Sequence, residues 1–316
     1  WTGPQRNKGK NQMAKIYGKK YSAKIKRDLY AEITDSIIAK LEAGNAAPWT
    51  KNWNGGVGGM PKRSTGEYYK GINSVVLMMS NHAGQYWFTY KQAKDAGGQV
   101  REGQKGTTII FYKQIKTTDK DTGKDKFFPM MKSYVVFNQD QIDNLPEKYT
   151  VASDTISNNN KRLQSVDDYI ANTGAIINHG GTKAFYTPSN DSVQLPTFES
   201  FTSAAAYYGT ALHELGHWTG HMSRLDRFDD KGNVGSMSKP DIAREELIAE
   251  LCATFLTASL GIEKTIDENH ISYLQSWLTL LRSDKKAIFT AAAAAQKACD
   301  LLDLLAFDIV DVAEEA

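Results

Sequence analysis

The sequence is short of cysteine and of long apolar runs, and each shortage excludes a class of protein. Its two cysteines, Cys252 and Cys299, lie in apolar helical patterns. This excludes a disulfide-rich secreted scaffold and predicts two buried thiols in a reducing cytoplasm. No apolar run approaches the roughly 18 residues of a membrane span, and the first residues lack the apolar block of a signal peptide. We therefore predict a cytoplasmic protein with no membrane partner, whose first residue, Trp1, indicates a trimmed start.

Net charge is also small, but it hides an asymmetry along the chain. The whole sequence holds 38 Lys and Arg against 36 Asp and Glu, whereas residues 1–148 hold 25 against 13 and residues 149–316 hold 13 against 23. A basic half attracts polyanions, nucleic acid first among them. Nine of the 25 basic residues precede residue 30, and the remainder still favours a polyanion partner for the first half.

Chain length and patterning predict two domains of the α+β class. A length of 316 residues exceeds one average domain. We expect a basic flexible arm over 1–20, a small α+β domain with an antiparallel sheet over 21–148, a polar linker over 149–165 and a mainly helical domain over 166–316.

Periodicity places the main elements inside these domains. Residues 24–43 predict a helix, and 72–84 predict a buried helix or strand, with a helix favoured. Residues 106–116 and 127–138 predict two strands joined by a hairpin with a D-x-G turn. In the second half we expect a helix over 166–177, strands around KAFYTP and SVQLP, and then a series of helices.

Histidine is scarce, yet three of the six histidines lie in one short segment, HELGHWTGH, from His213 to His221. On a helix, His213 and His217 are one turn apart on one face, about 6 Å, so both imidazoles can reach one metal ion. A carboxylate directly after the first imidazole, Glu214, can act as general base on a water activated by that ion. This is the arrangement of zinc-dependent peptidases.

A catalytic zinc site needs a third protein ligand, and the sequence offers three. Glu246 and Glu250 lie one turn apart in EELIAE, which fits the Glu-x-x-Ala-(acid) pattern of glutamate-type zincins; the small Ala249 permits close helix approach. We assign Glu246 as the ligand and Glu250 as an acceptor from a ligand imidazole. His221 could reach the ion only if the helix broke at Gly220, and we assign it as a non-ligand. The expected ion is Zn²⁺, with Mn²⁺ or another divalent transition metal as the alternative.

Peptide hydrolysis at such a site would use Glu214 to take a proton from water and return it to the leaving amine of a protein substrate. An extended substrate would add to an edge strand near SVQLP, upstream of the metal-binding helix. The residue that stabilises the oxyanion is left open among Tyr186, Tyr207, Tyr208 and His270.

Aromatic and basic residues alternate in the Gly-rich part of the first half, a pattern typical of surfaces that stack unpaired bases. Trp87 and Phe88 are expected in the core instead. No segment is typical of a recognition helix for duplex DNA, so we expect sequence-independent binding of single-stranded DNA. The residues assigned to this binding are Trp49, Trp53, Lys62, Arg63, Tyr68, Tyr69, Lys70, Asn73 and Arg101.

An ordered set of motifs resembles the ArdC-type antirestriction proteins of conjugative plasmids and related mobile elements. The motifs are PW-x3-W, TG-x2-Y-x-GIN, GGQVREGQKG, YVVFNQDQI, TALHELGHWTGH-x2-RLDR, EELIAEL and SWL-x2-L-x2-D. The resemblance implies a single-stranded-DNA-binding N-terminal domain, a zincin-like metallopeptidase domain and a role in protecting incoming DNA from host restriction. It also implies metal binding by His213 and His217, with Glu214 as base and the acidic ligand in EELIAE.

Two other interpretations stay open at this point. The protein could be a non-catalytic DNA-coating protein whose metal is structural. It could also be a metalloprotease toxin or processing enzyme whose basic half binds an acidic protein. A Glu214→Gln variant separates the first alternative from a peptidase, and a salt titration with labelled oligonucleotides tests the second.

Overall fold

The structure, a computed structural model, describes residues 27–44, 49, 59–80, 82–118, 123–150, 161–228, 237–262 and 268–313. For residues 128–129, 268–272 and 308–313 it describes the backbone alone. The predicted arm, Trp53 and most of the predicted linker lie outside these ranges.

The first half forms a small α+β unit, as predicted. Four of its strands make one sheet in the order β1-β2-β5-β4, in which β1 and β2 are parallel and the other pairs antiparallel; β3 pairs with β6 separately. The elements are α1 (Leu29–Ala43), β1 (Lys62–Arg63), α2 (Ile72–Met78), β2 (Tyr86–Phe88), α3 (Tyr90–Asp95), β3 (Gln99–Val100), β4 (Thr107–Thr118), β5 (Asp125–Asn138) and β6 (Ile142–Asp143).

Helix α1 begins later than the apolar pattern predicts, because Asp28 caps it. The Asp28 carboxylate accepts hydrogen bonds from the backbone N–H groups of Tyr30 and Ala31, each at 3.1 Å. An aspartate at this position satisfies donors that the first helical turn leaves unpaired. The last helical residue is Ala43 and Gly44 follows as the C-cap, as predicted.

The second half is mainly helical, which confirms the predicted fold class. A three-stranded sheet of order β7-β9-β8 precedes the long helices. The elements are α4 (Gln164–Asn172), β7 (Ile176–His179), β8 (Phe185–Thr187), β9 (Ser192–Leu195), α5 (Ala204–Trp218), α6 (Lys239–Ser259), α7 (Glu268–Ser283) and α8 (Ala287–Ala313). No helix in the described ranges combines the length and the apolar content that crossing a membrane requires.

One expectation for this half was wrong. The helix predicted over 166–177 ends at Asn172, because Gly174 takes a φ of 75° that turns the chain before Ile176 starts β7. Strand β9, which contains SVQL, is central: β7 pairs with it in parallel and β8 antiparallel. The edge strands near SVQLP are therefore β7 and β8, and the addition of an extended substrate to one of them stays a prediction.

Helix α1 belongs to the first half by sequence and to the second half by packing. Its side chains share one core with those of α7 and α8, and Thr34 Oγ1 donates to the Lys285 carbonyl at 2.7 Å. The shared core includes Leu29, Ile33, Ile37, Leu41, Trp277, Leu281 and Ile288. The two halves therefore meet through a continuous apolar interface.

Cys252 on α6 and Cys299 on α8 are buried and free, which confirms the predicted thiols. Their sulfur atoms are 3.5 Å apart, a van der Waals contact and not the roughly 2.05 Å of a disulfide bond. The pair belongs to the packing between these two helices.

Asn73 covers the outer edge of the sheet. Its side-chain amide donates to the Ile110 carbonyl at 2.7 Å, and its oxygen accepts from the Ile110 N–H at 2.9 Å. Strand β4 is the edge strand, and unpaired edge groups need such partners. The Asn73 amide therefore supports the sheet edge, and the DNA contact predicted for this residue stays a prediction.

Replacing Asn73 with alanine should lower the free energy of unfolding by about 1–3 kcal/mol, because the backbone groups of the buried Ile110 lose both partners. Urea unfolding followed by circular dichroism measures the change. Gln114→Ala, at an exposed position on the same strand, should stay within about 0.5 kcal/mol of the parent protein. Equal stability of the two variants would show that the amide does not support the edge.

Candidate metal centre

Helix α5 carries the HExxH segment. Ser203 caps the helix by accepting from the Ala206 N–H at 3.1 Å, and the apolar face of the helix, with Leu212 and Leu215 fully buried, fixes its rotation in the core. His213 and His217 then lie on the same side, with ring centroids 4.9 Å apart. Local capping and core packing together orient both imidazoles toward helix α6.

Helix α6 passes very close to α5 at Gly216. A Cβ atom at Gly216 would lie 3.0 Å from Ala249 Cα and 3.4 Å from Ala249 Cβ. This approach is possible because Gly216 has no side chain and Ala249 has only a methyl group. Glu246, one turn before Glu250 on α6, is thereby brought to the imidazoles.

Three ligand atoms converge in a triangle. His213 Nε2 and His217 Nε2 are 3.2 Å apart, and Glu246 Oε2 lies 3.5 Å and 3.6 Å from them. Ligand atoms of a tetrahedral zinc ion are roughly 3.3 Å apart when each metal–ligand bond is about 2.0–2.1 Å. The donor types and spacings therefore fit a small divalent transition-metal ion bound by His213, His217 and Glu246.

The outer nitrogen of His217 has a partner that the sequence did not reveal. His217 Nδ1 is 3.2 Å from Glu245 Oε1, and Arg227 holds the same carboxylate at 2.8 and 3.0 Å. Donation of Nδ1–H to a carboxylate leaves Nε2 as the ligand atom. Glu250, predicted for this type of role, lies 3.9 Å from His213 Nδ1, beyond hydrogen-bond distance. It is fully buried.

The RLDR segment after α5 supplies the supporting cations. Arg227 also donates to the Gly216 carbonyl at 2.6 Å and to Thr219 Oγ1 at 2.8 Å. Arg224 pairs with Asp191 in the turn between β8 and β9 and lies 3.7 Å over the Trp218 ring. The end of α5 is thus tied both to α6 and to the small sheet.

Electrostatics at the three ligands favour added positive charge. Burial disfavours the imidazolium forms, but hydrogen bonds to carboxylates outweigh it and raise the pKa of His213 and, further, that of His217. Burial likewise disfavours the Glu246 carboxylate, yet hydrogen bonds from both imidazoles hold the pKa of Glu246 well below its ordinary value. The carboxylates that favour the imidazolium forms here would equally favour a bound cation.

Tyr273 on α7 is a further residue at the site, and no sequence motif points to it. Burial and the neighbouring Glu246 carboxylate raise the pKa of Tyr273 to about 12, with the Glu214 charge contributing. A phenol with this pKa stays protonated at neutral pH and remains a hydrogen-bond donor. Glu214 itself is buried, at 7% exposure.

The tyrosines proposed from sequence as oxyanion stabilisers are engaged elsewhere. Tyr186 donates to Asp191, Tyr207 is 2.9 Å from His179 Nε2, and Tyr208 accepts from the Leu163 N–H. The side chain of His270 lies outside the described part of the structure. His221, assigned as a non-ligand, contacts Ser223 at 2.8 Å in the turn after α5 and is absent from the triangle.

The predicted DNA-binding residues fall into three groups. Trp49 and Tyr69 are 3% and 6% exposed, which contradicts the expectation that their rings face solvent; Trp49 packs on Trp277 across the shared core. Tyr68 is exposed beside Lys62, at 5.3 Å. The remaining cations form surface ion pairs, namely Arg63 with Glu67 at 3.3 Å, Lys70 with Asp300 at 3.0 Å and Arg101 with Asp143 at 3.0 Å.

Two imidazoles from one helix and a carboxylate from a later helix, with a glutamate beside the first imidazole, define a zincin-like domain. The family model described as zincin-like metallopeptidase matches residues 164–294. A second model, the N-terminal domain of the anti-restriction factor ArdC, matches residues 27–137.

The chain belongs to the ArdC family of antirestriction proteins. It resembles the crystal structure of the metal-free antirestriction ArdC protein from plasmid R388 with a TM-score of 0.75 and 44% identity, covering 89% of this chain and 99% of that one. The Mn(II)-bound structure of the same protein gives a TM-score of 0.72 and 43% identity over the same shares. The relationship therefore extends through both halves.

Relatives also occur in longer proteins. Two DNA primases TraC of Escherichia coli are 40% and 36% identical over 93% and 96% of this chain, which spans only 28% and 22% of their lengths. The uncharacterized protein y4eC of Sinorhizobium fredii is 36% identical, covering 86% of this chain and 91% of its own.

The approach of α5 to α6 can be tested with a pair of glycines on α5. Gly216→Ala should be about 1–3 kcal/mol less stable than Gly209→Ala, because the added methyl group overpacks the contact with Ala249. Gly209 has nothing within 4 Å of a built Cβ, so its alanine variant should gain about 0.5–1 kcal/mol from helix propensity. Urea unfolding gives both values, and calorimetric titration with Mn²⁺ should show weaker binding for Gly216→Ala alone. Identical behaviour of the two variants would contradict the close approach.

Proposed function

We propose that this protein is an antirestriction protein that binds single-stranded DNA and carries a zinc-dependent peptidase site, acting in the cytoplasm to protect incoming DNA from host restriction. The observation that carries the peptidase part is the triangle of His213, His217 and Glu246 at 3.2–3.6 Å, with Glu214 beside it. The DNA part is supported by membership of the ArdC family and by the basic first half. The free thiols of the described cysteines suit a reducing compartment.

Each residue around the triangle is assigned a role in peptide hydrolysis. A divalent ion at the three ligands would supply Lewis-acid polarisation and lower the pKa of water. Glu214 accepts the proton of the attacking water and returns it to the leaving amine. Tyr273 donates a hydrogen bond to the oxygen on which negative charge develops. Glu245 and Arg227 keep His217 in the orientation that this chemistry needs.

The metal is proposed to be Zn²⁺, with Mn²⁺ as the alternative. One carboxylate and two imidazoles form a common catalytic zinc set, while the R388 relative has a Mn(II)-bound structure. Competition between the two ions on the metal-free protein, followed by elemental analysis of protein purified without added metal, decides between them.

Glu214→Gln should lower the rate of cleavage of fluorescein-labelled casein by metal-loaded protein by between about 100-fold and 10,000-fold, because the general base is lost. Metal affinity should stay unchanged, since Glu214 is not a ligand. Glu246→Gln should lose both activity and metal, and Glu199→Gln, at an exposed position, should lose neither. Full cleavage by Glu214→Gln would refute the peptidase mechanism.

The same variant separates a peptidase from a DNA-coating protein with a structural metal. If proteolysis serves antirestriction, cells that express Glu214→Gln should lose protection of a conjugatively transferred plasmid, measured as transfer frequency into restricting and non-restricting recipients. Full protection by a variant that keeps its metal and lacks cleavage would favour the structural role.

Tyr273→Phe should reduce kcat by about 100-fold to 1,000-fold, the usual effect of removing one oxyanion donor. KM and the affinity for Zn²⁺ should change little, because the hydroxyl is neither a metal ligand nor part of the core. Steady-state kinetics on a cleaved peptide, with a parallel metal titration, gives all three quantities. A loss of metal binding with unchanged kcat would assign Tyr273 to support of Glu246 instead.

A further inference from the structure

The hairpin of β4 and β5 presents an unusual amount of exposed apolar surface. Six of the thirteen large exposed hydrophobic residues in the described ranges lie on it: Phe111, Tyr112, Ile115, Phe127, Tyr134 and Val135, at 42–58% exposure. Every residue of β4 from Phe111 to Thr118 is exposed, so this part of the strand presents side chains to solvent on both of its faces. A cluster of exposed apolar side chains on one element indicates a binding surface.

Strand register divides these residues between the two faces. Phe111 is opposite Lys132, Ile109 opposite Tyr134, and Lys113 opposite Met130. Because side chains alternate along a strand, one face carries Phe111, Lys113, Ile115, Lys132 and Tyr134, and it is called here the Phe111 face. The Tyr112 face carries Tyr112, Gln114, Lys116, Phe127 and Val135.

Charge distinguishes the two faces. Asp125 is the only acidic residue in the two strands, and it pairs with Lys116 at 2.8 Å on the Tyr112 face. Within the described residues no carboxylate forms an ion pair with Lys113 or Lys132. The Phe111 face therefore combines exposed rings with two uncompensated positive charges, whereas the ion pair on the Tyr112 face is neutral.

The rings on the Phe111 face are held in place. Phe111 and Tyr134 pack edge to face, with centroids 6.2 Å apart and an interplanar angle of 84°, and remain 45% and 44% exposed. Fixed rings lose little conformational entropy when a ligand stacks on them. Cations beside fixed aromatic rings are the combination that binds unpaired bases and their phosphates.

The geometry points to the Phe111 face as the surface on which single-stranded DNA binds, with bases stacking on Phe111 and Tyr134 and phosphates contacting Lys113 and Lys132. This assignment rests on the proposed function, in which the protein binds single-stranded DNA. It places the contacts outside the segment favoured by sequence, where Trp49 and Tyr69 are buried. Stacking needs unpaired bases, which favours single strands over duplex.

The test uses the full chain and a fluorescein-labelled 20-nucleotide oligothymidine, with binding followed by anisotropy over a range of salt concentrations. Phe111→Ala/Tyr134→Ala should weaken binding by at least about 10-fold, from the loss of stacking. Lys113→Gln/Lys132→Gln should reduce the slope of log K against log salt by about 1.4, since each lost phosphate contact on a single strand contributes about 0.7.

The control variants lie on the opposite face of the hairpin. Tyr112→Ala/Val135→Ala removes similarly exposed apolar groups, at 54% and 50%, and should change affinity less than twofold. Lys116→Gln should leave the salt slope of the parent protein. Melting temperatures establish that each variant is folded, and the lysine variants, at exposed polar positions, keep the test valid if the aromatic variant unfolds.

The outcomes distinguish failure of the proposed single-stranded-DNA binding from failure of its assignment to the Phe111 face. If the parent protein binds no oligothymidine at low salt, both the single-stranded-DNA function and this surface are rejected. If the parent protein binds and the Phe111-face variants bind equally well, the surface assignment is overturned while the function stands, and the face is left to a protein partner. Equal losses from the Tyr112-face variants, or equal affinity of the parent protein for duplex, would also overturn the assignment.

Discussion

The separation of α5 and α6 is the constraint on which the metal centre depends. Gly216 has no side chain and Ala249 has a single methyl group, so the two backbones approach to a distance that leaves no room for a further carbon. A glutamate on α6 can reach two imidazoles on α5 only across a gap this narrow. The neighbouring Glu245 reaches His217 for the same reason. The ligand triangle is therefore a property of helix packing as much as of the HExxH motif.

Charge balance around this contact explains the role of Arg227. Glu245 and Glu250 are almost completely buried on α6, and Glu246 is close to them. Buried carboxylates destabilise a fold unless cations or hydrogen-bond donors accompany them. Arg227 neutralises Glu245, and the imidazoles, or the ion they would hold, neutralise Glu246. The acidic excess of the second half is thus partly concentrated in one place where positive charge is favoured.

The sequence predicts parts of the site whose members are close along the chain, and fails where partners are distant. His213, Glu214 and His217 follow from helical spacing, and Glu246 from a short local pattern. Arg227 and Tyr273 reach the site from a turn and from another helix, and no periodicity reveals them. Trp49 was misplaced for the same reason: a tryptophan close to a lysine in a Gly-rich segment is typical of a binding loop, but its ring packs on Trp277, which is distant in the sequence. The two hairpin strands followed from alternation, whereas the central position of β9 depends on pairing with β7 and β8, which local pattern does not encode.

Helix α1 packs in the helical core of the second half, so the folding of the two halves is coupled. This coupling also bears on how the two halves are inherited. Deleting this helix would expose the apolar side chains of α7 and α8 that pack against it, and the second half would present a large hydrophobic surface to solvent. The second half would therefore lose part of its core if recombination separated it from α1. The long primase relatives match 93% and 96% of this chain, so they contain both halves together.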